Sequence, residues 1–227
     1  MEVVDLDGRQ LATWDRGEGT PLLFIHGVGT PGALWQSDLS ELVTDCRVIV
    51  YDRRGYGGSS ESPRDWQSHR EDAAALLEKL NAKPAVVVGY SGGAMIALDL
   101  ALQRPELLRA LVLLDPAVNL KHCLTPGLIR HMSTARLLNR LGRPRRGAEH
   151  WLRYVSGYPS GGSAYDRAPV ERRRALLDAA GGIFADANSG LGNVPEDRLG
   201  RVEIPTTIVD CNLSPRFCAD HAGGYGS

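Results

Sequence analysis

The stretch Gly89-Tyr90-Ser91-Gly92-Gly93 sets one hydroxyl among glycines, after the apolar run Ala85-Val86-Val87-Val88 and before a helical pattern starting at Ala94. A serine hydroxyl attacks a carbonyl carbon only when a base takes its proton and donors hold the oxyanion that forms. The Gly-x-Ser-x-Gly spacing is weak by itself; a strand leading in and a helix leading out make it specific. At such a sharp turn the serine's neighbours must be small, and Gly89 and Gly93 let strand and helix approach closely. The Gly92 N–H falls at the helix N-terminus, where unpaired donors and the helix dipole favour negative charge. The rival reading is a phosphate-binding glycine loop. It wants a Lys after the glycines or a Gly-x-Gly-x-x-Gly spacing, and neither is present.

The elements that must position Ser91 are legible in the first half of the chain. Residues 3–8 and 10–17 read as a hairpin with Asp7-Gly8 at its turn. Short apolar runs at 21–27, 47–52, 85–90 and 110–115 read as strands. Helical patterns at 35–43, 65–80 and 92–104 alternate with them, as in a parallel sheet with crossover helices. From Pro116 to about Arg201 the alternation stops and helical patterns take over, separated by Gly- and Pro-rich breaks such as Tyr158-Pro159-Ser160-Gly161-Gly162. Strand character returns at 204–211.

Four segments in this order resemble an α/β-hydrolase-fold enzyme of the esterase, haloperoxidase-like and C–C hydrolase type. They are the serine turn, Phe24-Ile25-His26-Gly27-Val28-Gly29, the run Asp52-Arg53-Arg54-Gly55-Tyr56-Gly57-Gly58-Ser59-Ser60, and residues 104–117 ending in Leu114-Asp115-Pro116. The resemblance implies an α/β fold with a mostly parallel, doubly wound sheet and a helical cap inserted after the sixth strand. It places a first core part at 1–117, a cap or lid at 118–200, and a second core part with a short tail at 201–227, without the family's last strand and helix.

It also implies roles. Ser91 is the nucleophile, and the N–H groups of Val28 and Gly92 form the oxyanion hole. His26 is structural. The acid often follows the seventh strand, but that place reads Cys211-Asn212-Leu213-Ser214. A subset of the family carries it after the sixth strand, here Asp115, and Asp210 is expected inside the seventh strand. Asp115 has a bland reading too, as a strand-end residue capping a local turn. The family's base is a histidine far downstream, where this sequence offers only His221. His69, His122, His131 and His150 read as surface or packing residues, His122 standing where the cap begins. The activity implied is a serine hydrolase acting on a small ester or related acyl substrate through an acyl-enzyme, with no cofactor and no metal. The alternative is a non-catalytic or impaired hydrolase-fold binding protein lacking the triad histidine.

Composition agrees with a globular chain: of 227 residues, 43% are hydrophobic and 23% charged. The net charge of −1 gives no global field for nucleic acid or membrane. No apolar run approaches a membrane span, and the N-terminal residues lack the basic-then-apolar pattern of a secretory signal. Cys46, Cys123, Cys211 and Cys218 are scattered, so reduced thiols and a cytoplasmic location are expected. Eleven Arg against three acids between Arg130 and Arg174 mark the helical insertion as locally basic. Solvated helix faces are the favoured reading, and a basic lid drawing in an anionic substrate is the sharper one. The partner expected is a small molecule, with an exposed sheet edge as a route to a homodimer.

Overall fold

Apolar runs bounded by Gly, Asp or Pro form the strands of the computed structural model, which describes residues 1–63, 65–116, 125–189, 194 and 196–210. The strands are β1 (Glu2–Leu6), β2 (Arg9–Arg16), β3 (Pro21–Ile25), β4 (Arg47–Tyr51), β5 (Ala85–Tyr90), β6 (Leu108–Leu114) and β7 (Thr206–Val209). They make one sheet in the order β1-β2-β4-β3-β5-β6-β7. The β1–β2 and β2–β4 pairings are antiparallel, and the rest are parallel. The hairpin turns at Asp7 and Gly8, both at positive φ, as its Asp-Gly sequence requires.

Two helices cover the core. They are α1 (Gln67–Lys79) and α2 (Gly92–Gln103). Leu76 and Leu77 of α1 and Met95, Ile96 and Leu100 of α2 are buried in one cluster with Leu23, Ile25, Ile49 and Val87 of the sheet. The helical pattern expected at 35–43 is instead two 3-10 turns, Gly32–Trp35 and Ser40–Thr44. The Ser40 hydroxyl donates to the Ser37 carbonyl at 2.9 Å, a local bond that competes with helix formation.

The helical segment begins, among the described residues, with α3 (Pro126–Arg140), capped by the Thr125 hydroxyl accepting from the Leu128 N–H. It continues with α4 (Pro144–Val155), α5 (Ala164–Arg167), α6 (Val170–Asp178) and α7 (Ala180–Ser189). The short α8 (Glu196–Leu199) precedes β7. α6 and α7 meet at Ala179. Ala135, Ala148, Leu152, Tyr165, Leu176, Ile183 and Phe184 form a second apolar cluster, and Val28 and Leu34 of the core pack against it. Arg153 pairs with Glu149 and Asp166, Arg145 with Asp178 and Arg172 with Asp38, all on solvated faces. These pairings favour the bland reading of the basic segment.

β7 lies at the end of the described sheet, with Ile208 and Val209 exposed. It ends at Val209, so Asp210 stands just past the strand rather than inside it. A β-carbon at Gly93 would land on the carbonyl oxygens of Ile25 and His26, backbone that cannot yield. Gly93→Ala is therefore expected to cost about 1–3 kcal/mol and to lower the thermal midpoint by about 2–4 °C per kcal/mol. Thermal unfolding followed by circular dichroism checks this, and an unchanged midpoint contradicts the packing described.

Candidate active site

The parallel register sets Ser91 and Asp115 side by side. Tyr90 on β5 pairs with Leu114 on β6, so the next residue of each strand emerges at the same end of the sheet. The Ser91 N–H donates to the Leu114 carbonyl at 2.9 Å, and the Asp115 N–H donates to the Val209 carbonyl at 2.8 Å. Both residues have positive φ, 51° at Ser91 and 43° at Asp115. That region is costly for a residue with a side chain, by about 1–3 kcal/mol, and such strain gathers at functional sites. The strain at Ser91 is held by its surroundings. A β-carbon at Gly89 would sit 2.5 Å from the Ala94 Cα, so only glycine lets β5 turn back into α2 here.

The loop after β3 approaches the same turn. A β-carbon on Gly27 would come 3.2 Å from the Ser91 Cβ, and one on Gly92 would come 3.8 Å from the Val28 nitrogen. The Gly27–Val28 loop therefore lies close to Ser91 and Gly92 at the start of α2. Ser91, Val28 and Asp115 are partly exposed, and Gly92 is buried.

Beneath this loop lies a buried polar group that sequence reasoning missed. Arg53 is fully buried. Its Nε donates to the His26 carbonyl at 3.1 Å, and its Nη2 donates to the Gly27 carbonyl at 3.2 Å. Its charge is met by Asp186 of α7, through contacts of 3.2 Å from Nη1 and 2.7 Å from Nη2. The Tyr56 hydroxyl donates to Asp186 Oδ2 at 2.6 Å and accepts from the Gly29 N–H at 3.1 Å. Burial alone would raise the Asp186 carboxyl, but the Arg53 charge and the hydrogen bonds outweigh it and hold it well below the usual carboxylate range. Burial, then the Asp186 charge, pushes the Tyr56 hydroxyl well above its ordinary value, so it stays a donor. Removing one partner of such a pair typically costs about 3–5 kcal/mol.

The sequence carried one signal for Asp186. Ala179, Ile183 and Asp186 fall at i, i+4 and i+7, and all three are buried, so the acid lies in an apolar helical stripe. Gly182 on the same helix gives the Tyr56 ring its place: a β-carbon there would meet ring atoms at 2.5–2.7 Å.

Among the four described histidines, His26, His131 and His150 make ring contacts of their own, and His69 is buried with neither ring nitrogen hydrogen-bonded. His26 donates from Nδ1 to the Gly27 carbonyl at 2.8 Å and accepts at Nε2 from the Arg53 N–H at 2.9 Å, so both nitrogens are used. Burial, and next the Arg53 charge, lowers its pKa well below 6.5. This matches its expected structural role. His69 is buried, with Nε2 3.6 Å from Asp186 Oδ1, beyond hydrogen-bond distance. His131 and His150, from α3 and α4, share a 3.0 Å contact, and His131 stacks on Tyr154. His122, His221, Cys211 and Ser214 lie outside the described residues. Among the described residues no group of three or more metal-ligating side chains is present, and no helix is long and apolar enough to cross a membrane.

A family model described as alpha/beta hydrolase fold matches residues 20–149. The chain is 42% identical over 110 residues to a 2-hydroxymuconate semialdehyde hydrolase of Pseudomonas sp. (strain CF600), covering 45% of this chain and 38% of that protein. It is 39% identical over 107 residues to a putative non-heme bromoperoxidase of Mycobacterium tuberculosis, covering 46% and 41%. The chain thus spans about two-fifths of the length of these curated relatives. Among solved structures, a thermophilic esterase from Thermogutta terrifontis superposes with a TM-score of 0.76 over 98% of this chain and 86% of that one. At 24% identity that likeness speaks to the fold alone.

The buried imidazoles set the response to acid. The folded-state pKa values of His26 and His69 are both lowered from 6.5, His69 also chiefly by burial. The unfolded chain therefore binds protons first as pH falls through 6.5, and stability drops below that point. The Asp186 contribution runs lower, present above its ordinary 3.8 and lost beneath it. The thermal midpoint is expected to hold between about pH 8 and 7 and to fall between about pH 6.5 and 5, less steeply in His26→Asn. A flat or rising midpoint in the lower window contradicts the buried neutral imidazoles.

Proposed function

Starting from a chain that belongs to the alpha/beta hydrolase fold family, we propose that it is a serine hydrolase of small esters or related acyl compounds. The observation that carries this is the strained Ser91 at the β5–α2 turn, with the Gly27–Val28 loop close to it and to Gly92. The Ser91 Oγ attacks the carbonyl carbon, and its proton passes to a base. The carbonyl π electrons move onto oxygen, where the N–H groups of Val28 and Gly92 receive the charge. Collapse expels the alcohol, protonated by the same base, and leaves an acyl-Ser91. Water then attacks that acyl group by the same steps in reverse order and frees the acid. Asp115, one residue past β6 and beside the turn, orients the base. The helices from α3 to α7 would form the lid that chooses the substrate. The esterase, bromoperoxidase and semialdehyde hydrolase names among its relatives are consistent with this reaction class and do not select one substrate.

One observation favours a second reading. Among the described histidines, His26, His131 and His150 are engaged elsewhere and His69 is buried beside Asp186, as in a hydrolase-fold protein that binds an acyl compound without turning it over. Without a base an oxyanion hole still leaves roughly 10³- to 10⁴-fold over water, so residual activity alone does not separate the two.

A fluorophosphonate probe separates them. Labelling is expected in the wild-type chain, to vanish in Ser91→Ala, and to slow by about 10²-fold or more in Asp115→Asn. An unlabelled wild-type protein beside a labelled control hydrolase favours the binding protein.

A further inference from the structure

The carbonyl of Gly27 and the N–H of Val28 belong to one planar peptide unit. The Gly27–Val28 bond is trans, since Lys83–Pro84 is the cis bond of the described chain. In a trans unit the C=O and N–H vectors point in opposite directions. Holding the carbonyl on one side therefore fixes the N–H on the other. Two donors hold it, Arg53 Nη2 at 3.2 Å and His26 Nδ1 at 2.8 Å. The preceding carbonyl, His26, is held by Arg53 Nε, and the Gly29 N–H that follows is held by the Tyr56 hydroxyl. Arg53 and Tyr56 are themselves held by one carboxylate, Asp186 on α7.

We propose that Asp186 is a positioning residue: through Arg53 and Tyr56 it fixes the Gly27–Val28 peptide, so that the Val28 N–H faces the Ser91 turn. The proposal rests on the serine-hydrolase reading for its catalytic part. It joins the helical segment to the oxyanion donor, because the carboxylate comes from α7 while the peptide it steadies belongs to the loop after β3. The close seating of Gly182 on Tyr56 and of Ile183 on Gly29 keeps the two in register. A shift of α7 would then move the donor with it.

A merely structural ion pair would affect folding and nothing else. The test therefore uses variants that separate the two. Asp186→Asn removes the charge and lowers stability. The double variant Arg53→Met with Asp186→Leu replaces the pair by apolar side chains of similar volume, a change that often restores stability. With a short-chain aryl ester, kcat is expected to fall about 10- to 100-fold in both, against the 10²- to 10³-fold typical of losing one oxyanion donor. KM should stay within about threefold, since the donor acts on the transition state. Tyr56→Phe, the mildest change, is expected to lower kcat several-fold with KM unmoved. A folded double variant with wild-type kcat overturns the proposal, as does Tyr56→Phe with unaltered kinetics.

Amide exchange of Gly29, read by NMR against Val87 in β5 as the internal reference, needs no turnover. It is expected to quicken at least tenfold in Asp186→Asn while Val87 keeps its protection. Unchanged Gly29 exchange overturns the coupling. A wild-type protein without Ser91-dependent turnover defeats the serine-hydrolase reading, and the exchange result then still decides whether Asp186 holds the loop.

Discussion

A guanidinium with no solvent exposure needs its charge answered inside the protein, and Arg53 finds that answer in Asp186. Arg53 lies over the ring of Trp66, in the apolar cluster around the sheet, and Asp186 is on the helix that carries Ile183 and Phe184 of the cluster among the helices. The pair is the polar bond between them. It spans 133 residues of sequence, and its remaining donors reach backbone carbonyls. Buried charge is tolerated only when each donor has a partner, so each of those carbonyls is constrained in turn. The loop that carries Val28 is therefore held by side chains from the β4 loop and from α7, not by its own conformational preference.

The sheet supplies the second constraint. Parallel neighbours β5 and β6 end at the same level, and each is followed at once by a residue at positive φ. Ser91 and Asp115 are brought together by the β5–β6 register, and the Asp115 N–H is held by the Val209 carbonyl of β7. Ligands of open parallel sheets bind outside the carboxyl ends of the strands, and both residues sit there. The precision of the serine then comes from backbone: Gly89 against Ala94, and Gly93 against Ile25 and His26. The site is thus rigid on the sheet side and joined to the helices on the loop side.

Much of this was legible in the residues. The short apolar runs foretold β3, β4, β5 and β6, and the serine between Gly89 and Gly93 foretold the turn. Asp7-Gly8 foretold the hairpin. Those signals are local, set by φ/ψ limits and by burial of consecutive side chains. What escaped is non-local. Asp186 is an acid in an apolar helical stripe with no visible partner until position 53 is known, and Arg53 reads as a solvated cation in a glycine-rich loop. The helix expected at 35–43 failed for a local reason, since Ser37 and Ser40 bond to each other rather than propagating a helix. Asp210 was misplaced by one strand end, a boundary that periodicity does not resolve.

Catalysis at Ser91 requires the N–H groups of Val28 and Gly92 to face the oxyanion formed there. A crystal structure of the phosphonylated protein tests that directly, because the phosphoryl oxygen stands in for the tetrahedral oxyanion. Phosphorus is expected bonded to Ser91 Oγ, with that oxygen about 2.7–3.1 Å from both the Val28 and Gly92 nitrogens. An adduct on another residue, or a phosphoryl oxygen turned away from those two N–H groups, would contradict that geometry.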